Sequence, residues 1–284
     1  GLLIEQLPRQ STKFRTVPLI DLLHAKLGSR SLHETLLEAQ HFLGNAPLPE
    51  KRTSKRKLKD DGAAETKRIA SARKLFATGR PVFGTAAAAY LHRRALMRFG
   101  PALLFHPRVY LRGDDLDSNH PWHSPALLAK ITDNQGNITG CARTYLDPTI
   151  GGIADLRNPK RILGQLHGYA IRFWAGSNLG DLIVGEGLEN TLSVGTALPE
   201  FNLASCLTAT HLGLFIPPSG IKRIWIARDN DVAGERAAQT LASNLGLSGI
   251  ECRHLVPELG DFNEDLLAFG RVGLRNTLLA AMKG

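Results

Sequence analysis

Cysteine is scarce in this chain. Cys141, Cys206 and Cys252 lie far apart among 284 residues and form no CxxC pair. That argues against a disulfide framework and against a zinc site built from neighbouring thiols. Buried free thiols are expected instead. Long apolar runs are also lacking. The longest, residues 85–91 and 221–227, are the size of core elements, well short of the roughly 20 residues that span a bilayer. No membrane partner is expected. The sequence opens Gly1-Leu2-Leu3, without Met and without the basic, apolar and small-residue regions of a signal peptide. A cytoplasmic protein follows as the expectation, read from a fragment or a processed chain.

What is present is positive charge, unevenly placed. Lys and Arg number 35 against 26 Asp and Glu, a net +9 with the histidines neutral. Residues 1–80 carry +8, residues 81–180 carry +5 and residues 181–284 carry −4. Such asymmetry suggests a part that binds a polyanion joined to a part that gathers carboxylates. With 43% hydrophobic and 21% charged residues, the composition is globular, and the length suits two domains of roughly 100–150 residues.

Periodicity divides the chain into four stretches. Residues 1–50 read as a helical segment: Leu19, Leu22, Leu23 and Leu27 keep helical spacing, and Ser31 with Glu34 forms a capping box for a second helix. Residues 51–80 read as a basic linker, rich in Lys and Arg from Lys51 to Lys59, followed by a helix from Glu65. Residues 81–180 read as a small α+β unit. An Ala-rich helix ends at His92-Arg93-Arg94, and strands follow at 103–105, 126–131 and 138–145. The turn at 133–137 makes the last two an antiparallel hairpin. Residues 181–284 alternate short apolar runs (182–184, 203–206, 224–227, 250–255) with helical segments (188–198, 233–245). The fold class expected there is α/β, a mostly parallel sheet with helices on both faces.

In such sheets ligands bind beyond the carboxyl ends of the strands, and acids sit at those ends here. Glu186 follows the first run, Asp229 and Asp231 follow the third, and Asp261 follows the fourth. Singly, each has a plainer role: Asp231 and Asp261 can cap the next helix, and Glu186 can be a surface acid. Together they are carboxylates converging on one edge. These repel one another unless cations offset them, and Mg2+, which takes hard oxygen ligands and shares its shell with phosphates, suits the arrangement.

The residues Val184-Gly185-Glu186-Gly187, Glu189-Asn190-Thr191-Leu192-Ser193 and Ala227-Arg228-Asp229-Asn230-Asp231-Val232-Ala233-Gly234 resemble a Toprim domain, the fold shared by bacterial-type primases, topoisomerases and some nucleases. Gly260-Asp261-Phe262-Asn263-Glu264-Asp265-Leu266-Leu267 is similar to the closing motif of that family, with Glu264 inserted before Asp265. Upstream, Tyr90-Leu91-His92-Arg93-Arg94-Ala95-Leu96, Leu104-Phe105-His106-Pro107 and Gly140-Cys141-Ala142-Arg143-Thr144-Tyr145-Leu146 resemble the core of primase-like proteins of phages, plasmids and integrative elements. In those relatives a zinc ribbon commonly precedes such a helical pair; this sequence has none, which fits a chain cut at its N-terminus.

The resemblance implies a C-terminal Rossmann-like Toprim domain, preceded by a primase-core subdomain and N-terminal helices. It implies catalytic roles for Glu186, Asp229 and Asp231, and Mg2+ or Mn2+ on Glu186, Asp229, Asp231 and Asp261. Asn190 stands where several primases place a further acid. Arg143, Lys160, Arg161, Arg93 and Arg94 become candidates for phosphate contact. The expected activity is DNA primase-type nucleotidyl transfer, the making of short primers on a single-stranded DNA template from NTPs, with a replicative helicase as a further candidate partner. Two other readings stay open: a Mg2+-dependent Toprim nuclease, and a non-catalytic nucleic-acid-binding protein with a degenerate site. Only four tyrosines and a short chain speak against a strand-passing topoisomerase.

Overall fold

The computed structural model describes residues 55–97, 100–111, 123–174, 180–246 and 248–283. The chain divides into units of residues 1–57 and 58–284. The helices expected over residues 16–44 and the start of the basic linker lie outside the described residues. The first described element differs from expectation. Helix α1 spans Lys55–Ala77, so the second half of the expected linker is helical. Its Lys, Arg and Leu residues are good helix formers, and no proline interrupts them; Gly62 inside costs only about 1 kcal/mol relative to Ala. Helix α2, Ala86–Arg93, follows.

The first sheet is antiparallel. Strands β1 (Leu103–Tyr110), β2 (His123–Thr132) and β3 (Ile138–Asp147) pair in order, and β4 (Gly152–Ile153) and β5 (Lys160–Gly164) both pair with β3. The β2–β3 hairpin turns through Asp133, whose carboxylate accepts the N–H groups of Gln135 and Asn137. Strand alternation gives the sheet two buried faces. Ala126, Leu128, Cys141 and Tyr145 pack with Ala72 and Phe76 of α1, while Leu127, Ala129, Ile131 and Ala142 enter the largest core cluster.

That cluster also takes in the second sheet, through Ile183, Trp225 and Leu255, and its helices, through Leu188 and Phe262. The second sheet has the order β10–β9–β7–β8–β6, formed by β6 (Ile171–Phe173), β7 (Asp181–Gly185), β8 (Asn202–Ser205), β9 (Arg223–Ala227) and β10 (Glu251–Leu255). All its neighbours are parallel except β6 on β8. Helices α3 (Leu188–Ala197) and α6 (Phe262–Lys283) cover the face that joins the first sheet. Helices α4 (Ala209–Gly213) and α5 (Val232–Gly246) cover the other, over Leu182, Val184, Ile224 and Ile226. Both faces are buried, so the strands read as unbroken apolar runs. Each fully buried Leu or Ile contributes about 1.5–3 kcal/mol. Helix α6 kinks at Gly270, whose φ of 68° a residue with a side chain rarely adopts.

Candidate active site

The chain leaves β7 through α3 to β8 on one side, then returns to place β9 and β10 on the other side of β7. Strand order therefore reverses between β7 and β9, the point where open α/β sheets leave a crevice for ligands. Gly185 and Ala227 are register partners at the carboxyl ends of these two strands. Glu186 exits directly after one and Asp229 two residues after the other. Asp231 follows at the start of α5, and the loop after β10 brings in Asp261.

Electrostatics shows that Glu186 and Asp229 feel the acids around them. Burial, then Asp229, then Asp231 raise the Glu186 pKa to about 7, against a hydrogen bond from the backbone of Ala209 that lowers it. Burial, then Asp261 and Asp231, raise Asp229 to about 6, while the Asn190 amide pulls it back. Asp231 and Asp261 also do the plainer work of capping. Asp231 Oδ1 accepts the Gly234 N–H at 2.7 Å, and Asp261 Oδ1 accepts the Glu264 N–H at 2.8 Å. Gly234 is required by proximity, because a Cβ there would lie 2.7 Å from the carbonyl oxygen of Asp229.

Around the acids stands a rigid frame. Asn190 Nδ2 donates to Asp229 Oδ1, and Asn190 Oδ1 accepts the Phe262 N–H at 2.9 Å, tying the start of α6 to the site. The fully buried Asp265 accepts the N–H groups of Glu258 and Leu259, each at 2.9 Å, and so fixes the loop that carries Asp261. Leu207, in the loop after β8, holds a φ of 69°. A bulky residue pays about 1 kcal/mol or more for that conformation, which persists beside Thr208 and Ala209 at the edge of the site.

The basic candidates divide. A cleft of about 200 Å3 between the two sheets is lined by Ala142, Arg143, Thr144, Lys160, Arg161, Leu188, Glu189 and Thr208, among others. Arg143 pairs across the sheet with Arg161, and Thr144 with Lys160, so alternation sends the arginines to one face and Lys160 to the other. Both guanidinium groups lie near the Tyr145 ring, at 6.0 and 5.8 Å, on the α1 side. Lys160 Nζ donates to Glu189 Oε1 at 2.9 Å, on the side of the second sheet. Arg94 is engaged internally, donating to Asn263 Oδ1 at 3.0 Å and lying 5.3 Å from the Tyr90 ring. The exposed Arg93 donates to the carbonyl of Ile150. Arg143, Lys160 and Arg161 thus line one cleft, while Arg93 and Arg94 are engaged elsewhere.

The donor set fits a hard divalent cation in kind. Carboxylates crowd at one edge, where their charges help raise the pKa of Glu186 and Asp229, and Glu186 Oε2 is buried without a hydrogen-bond partner. Among the described residues, no three Asp, Glu, His or Cys side chains are grouped to hold an ion by themselves.

A family model described as a Toprim domain matches residues 181–271. The C-terminal sheet is a Toprim domain. Residues 66–173 match a model described as a domain of unknown function, DUF7146. No curated protein matches the chain. Among solved structures, a DNA primase domain from Pseudomonas aeruginosa aligns at 16% identity with a TM-score of 0.50, over 75% of this chain and 78% of that one. The RNA polymerase domain of Mycobacterium tuberculosis primase DnaG aligns at 16% identity with a TM-score of 0.45, over 75% and 80%. At such identity the likeness to the Pseudomonas aeruginosa domain is one of fold alone, and that fold is primase-like.

Glu189, Asn190 and Asp265, all within the motifs read from the sequence, are buried. What the sequence did not show is their partners: Glu189 meets Lys160 and Tyr90, 29 and 99 residues away. The signal available was the run of polar residues Glu189, Asn190 and Thr191 in the first turn of α3.

Proposed function

We propose that the chain is a primase-type nucleotidyltransferase that makes short primers on single-stranded DNA from NTPs with Mg2+ or Mn2+, of the kind that phages and mobile elements carry. The observation that supports this reading most is the electrostatic coupling of Glu186 and Asp229 on adjacent parallel strands at the switch point of the Toprim sheet. Glu186, Asp229, Asp231 and Asp261 would hold the cation. When bound, it would offset negative charge on the triphosphate and the departing pyrophosphate.

The chain's own part is placement. Asn190 and Phe262 fix the Asp229 carboxylate, and the Ala209 N–H holds Glu186. Lys160 lines the cleft between the sheets, where the template and the NTP phosphates would lie. A half-buried carboxylate with a pKa near 7 can also hold or release a proton at working pH. Single-stranded DNA and NTPs are the proposed partners, with a replicative helicase as a third. Primer synthesis on single-stranded DNA with labelled NTPs and Mg2+, wild type against Asp229→Asn, tests the reading. NTP-dependent product from the wild type alone supports it. Equal product from both, or cleavage of the template without NTPs, overturns it.

A further inference from the structure

Glu189 is a second buried acid in the first turn of α3, three residues after Glu186, and the carboxylate edge does not use it. Only 8% of its side chain is exposed. It is ionised all the same: burial pushes its pKa up, but Lys160 and then Tyr90 bring it below the usual carboxylate value. One oxygen, Oε1, takes both partners, the Tyr90 hydroxyl at 2.5 Å and Lys160 Nζ at 2.9 Å. Tyr90 stays a donor, since burial and the charge of Glu189 raise its pKa far above the usual phenol value.

The three residues come from α2, β5 and α3, so the bond joins the first sheet to the Toprim domain. Lys160 differs from its partners in being half exposed, with 51% of its side chain in solvent. A lysine on a four-carbon stem at a cleft mouth normally samples many rotamers. Here its base is on the edge strand β5 and its ammonium is anchored to a buried charge.

We propose that Glu189 is a positioning residue: with Tyr90 it fixes the Lys160 ammonium at the inter-sheet cleft, where Lys160 meets a phosphate of the nucleic-acid strand. The two remaining N–H donors of the ammonium stay available to that phosphate. The proposal rests on the nucleic-acid reading above, and its test runs without metal or NTPs.

Binding of a fluorescein-labelled oligothymidylate of about 15 nucleotides is measured in EDTA for wild type, Glu189→Gln, Lys160→Met and the double variant. Gln keeps an acceptor for Tyr90, so the fold survives, and circular dichroism checks that. Lys160→Met and Glu189→Gln are each expected to weaken binding about fivefold, and each to lower the salt slope by about one counterion. The double variant is expected to match Lys160→Met alone, because Glu189 acts through Lys160. Additive losses, an unchanged Glu189→Gln, or tighter binding by Glu189→Gln would each overturn the proposal. In primer synthesis the same variants are expected to raise KM with kcat within about twofold. Absence of any primer with the binding cycle intact would count against the primase reading and leave the role of Glu189 standing.

Discussion

Two regions of the molecule hold buried carboxylates only three residues apart and treat them oppositely. At the carboxyl edge of the Toprim sheet, Glu186 faces Asp229 and Asp231, and its pKa climbs to about 7. At the junction between the sheets, Glu189 is more deeply buried, yet its pKa falls because Lys160 and Tyr90 share its oxygen. Burial alone therefore decides neither case; the partners do. Lys160 supplies the charge that offsets Glu189, while the charges facing Glu186 are those of Asp229 and Asp231.

The largest test of that contrast is catalytic. Asp229→Asn removes charge from the edge while keeping shape, so the fold stays and primer synthesis is expected to fall by about a thousandfold, near 4 kcal/mol of transition-state stabilisation. Loss of folding rather than of product would mean that the edge is structural like the junction. Next comes the frame. Asp265→Ala leaves the Glu258 and Leu259 N–H groups without their acceptor and opens a hole where a fully buried carboxylate stood. A cost of about 3 kcal/mol is expected, or near 10 °C in Tm for a domain of this size, measured by thermal unfolding. A smaller loss in Tm than in activity would assign Asp265 to the site more than to the fold.

The edge was legible in the sequence and the junction was not, for a physical reason. Glu186, Asp229 and Asp261 each follow an apolar run, and alternating strands and helices announce a parallel sheet, so local pattern alone puts these acids at one edge. The pair of Glu189 and Lys160 is separated by 29 residues, and the bond from Tyr90 to Glu189 by 99. Nothing local marks Glu189 as buried. Glu189 follows Leu188 on a helix, about 100° round from Asn190, which shows that it points elsewhere without showing where. The strand that sets Lys160 and Arg161 beside Arg143 was not legible, because β5 is only five residues long. Without that strand, the alternation that sends Lys160 and Arg161 to opposite faces cannot be applied. The two arginines pair across β3 and β5, where like charges are unfavourable, and Tyr145 lies between them.

The smallest effects concern stability against pH. Raised pKa values mean that the folded state keeps protons the unfolded chain releases. The contribution of Asp229 and Glu186 is therefore complete below about pH 4 and is lost as pH rises through about 6 and then 7. Glu186→Gln removes its part of that loss. In EDTA the variant is expected to match wild type at pH 5 and to exceed it by about 1 kcal/mol at pH 8, a figure discounted for a half-exposed group. That corresponds to 2–4 °C in Tm. Millimolar Mg2+ should raise the wild type more than the variant and narrow the gap, because only the wild type offers the full donor set. The control is a charge pair that lies in water. Arg223 and Glu251 meet at 2.8 Å with both side chains about 40% exposed, closer than Lys160 and Glu189. Short distance without burial has little to stabilise, since solvent and salt screen it. Glu251→Gln is therefore expected to leave Tm unchanged at every pH from 5 to 8. A shift there as large as that of Glu186→Gln would mean that general surface charge, and not the crowding of acids at the Toprim edge, sets the pH response.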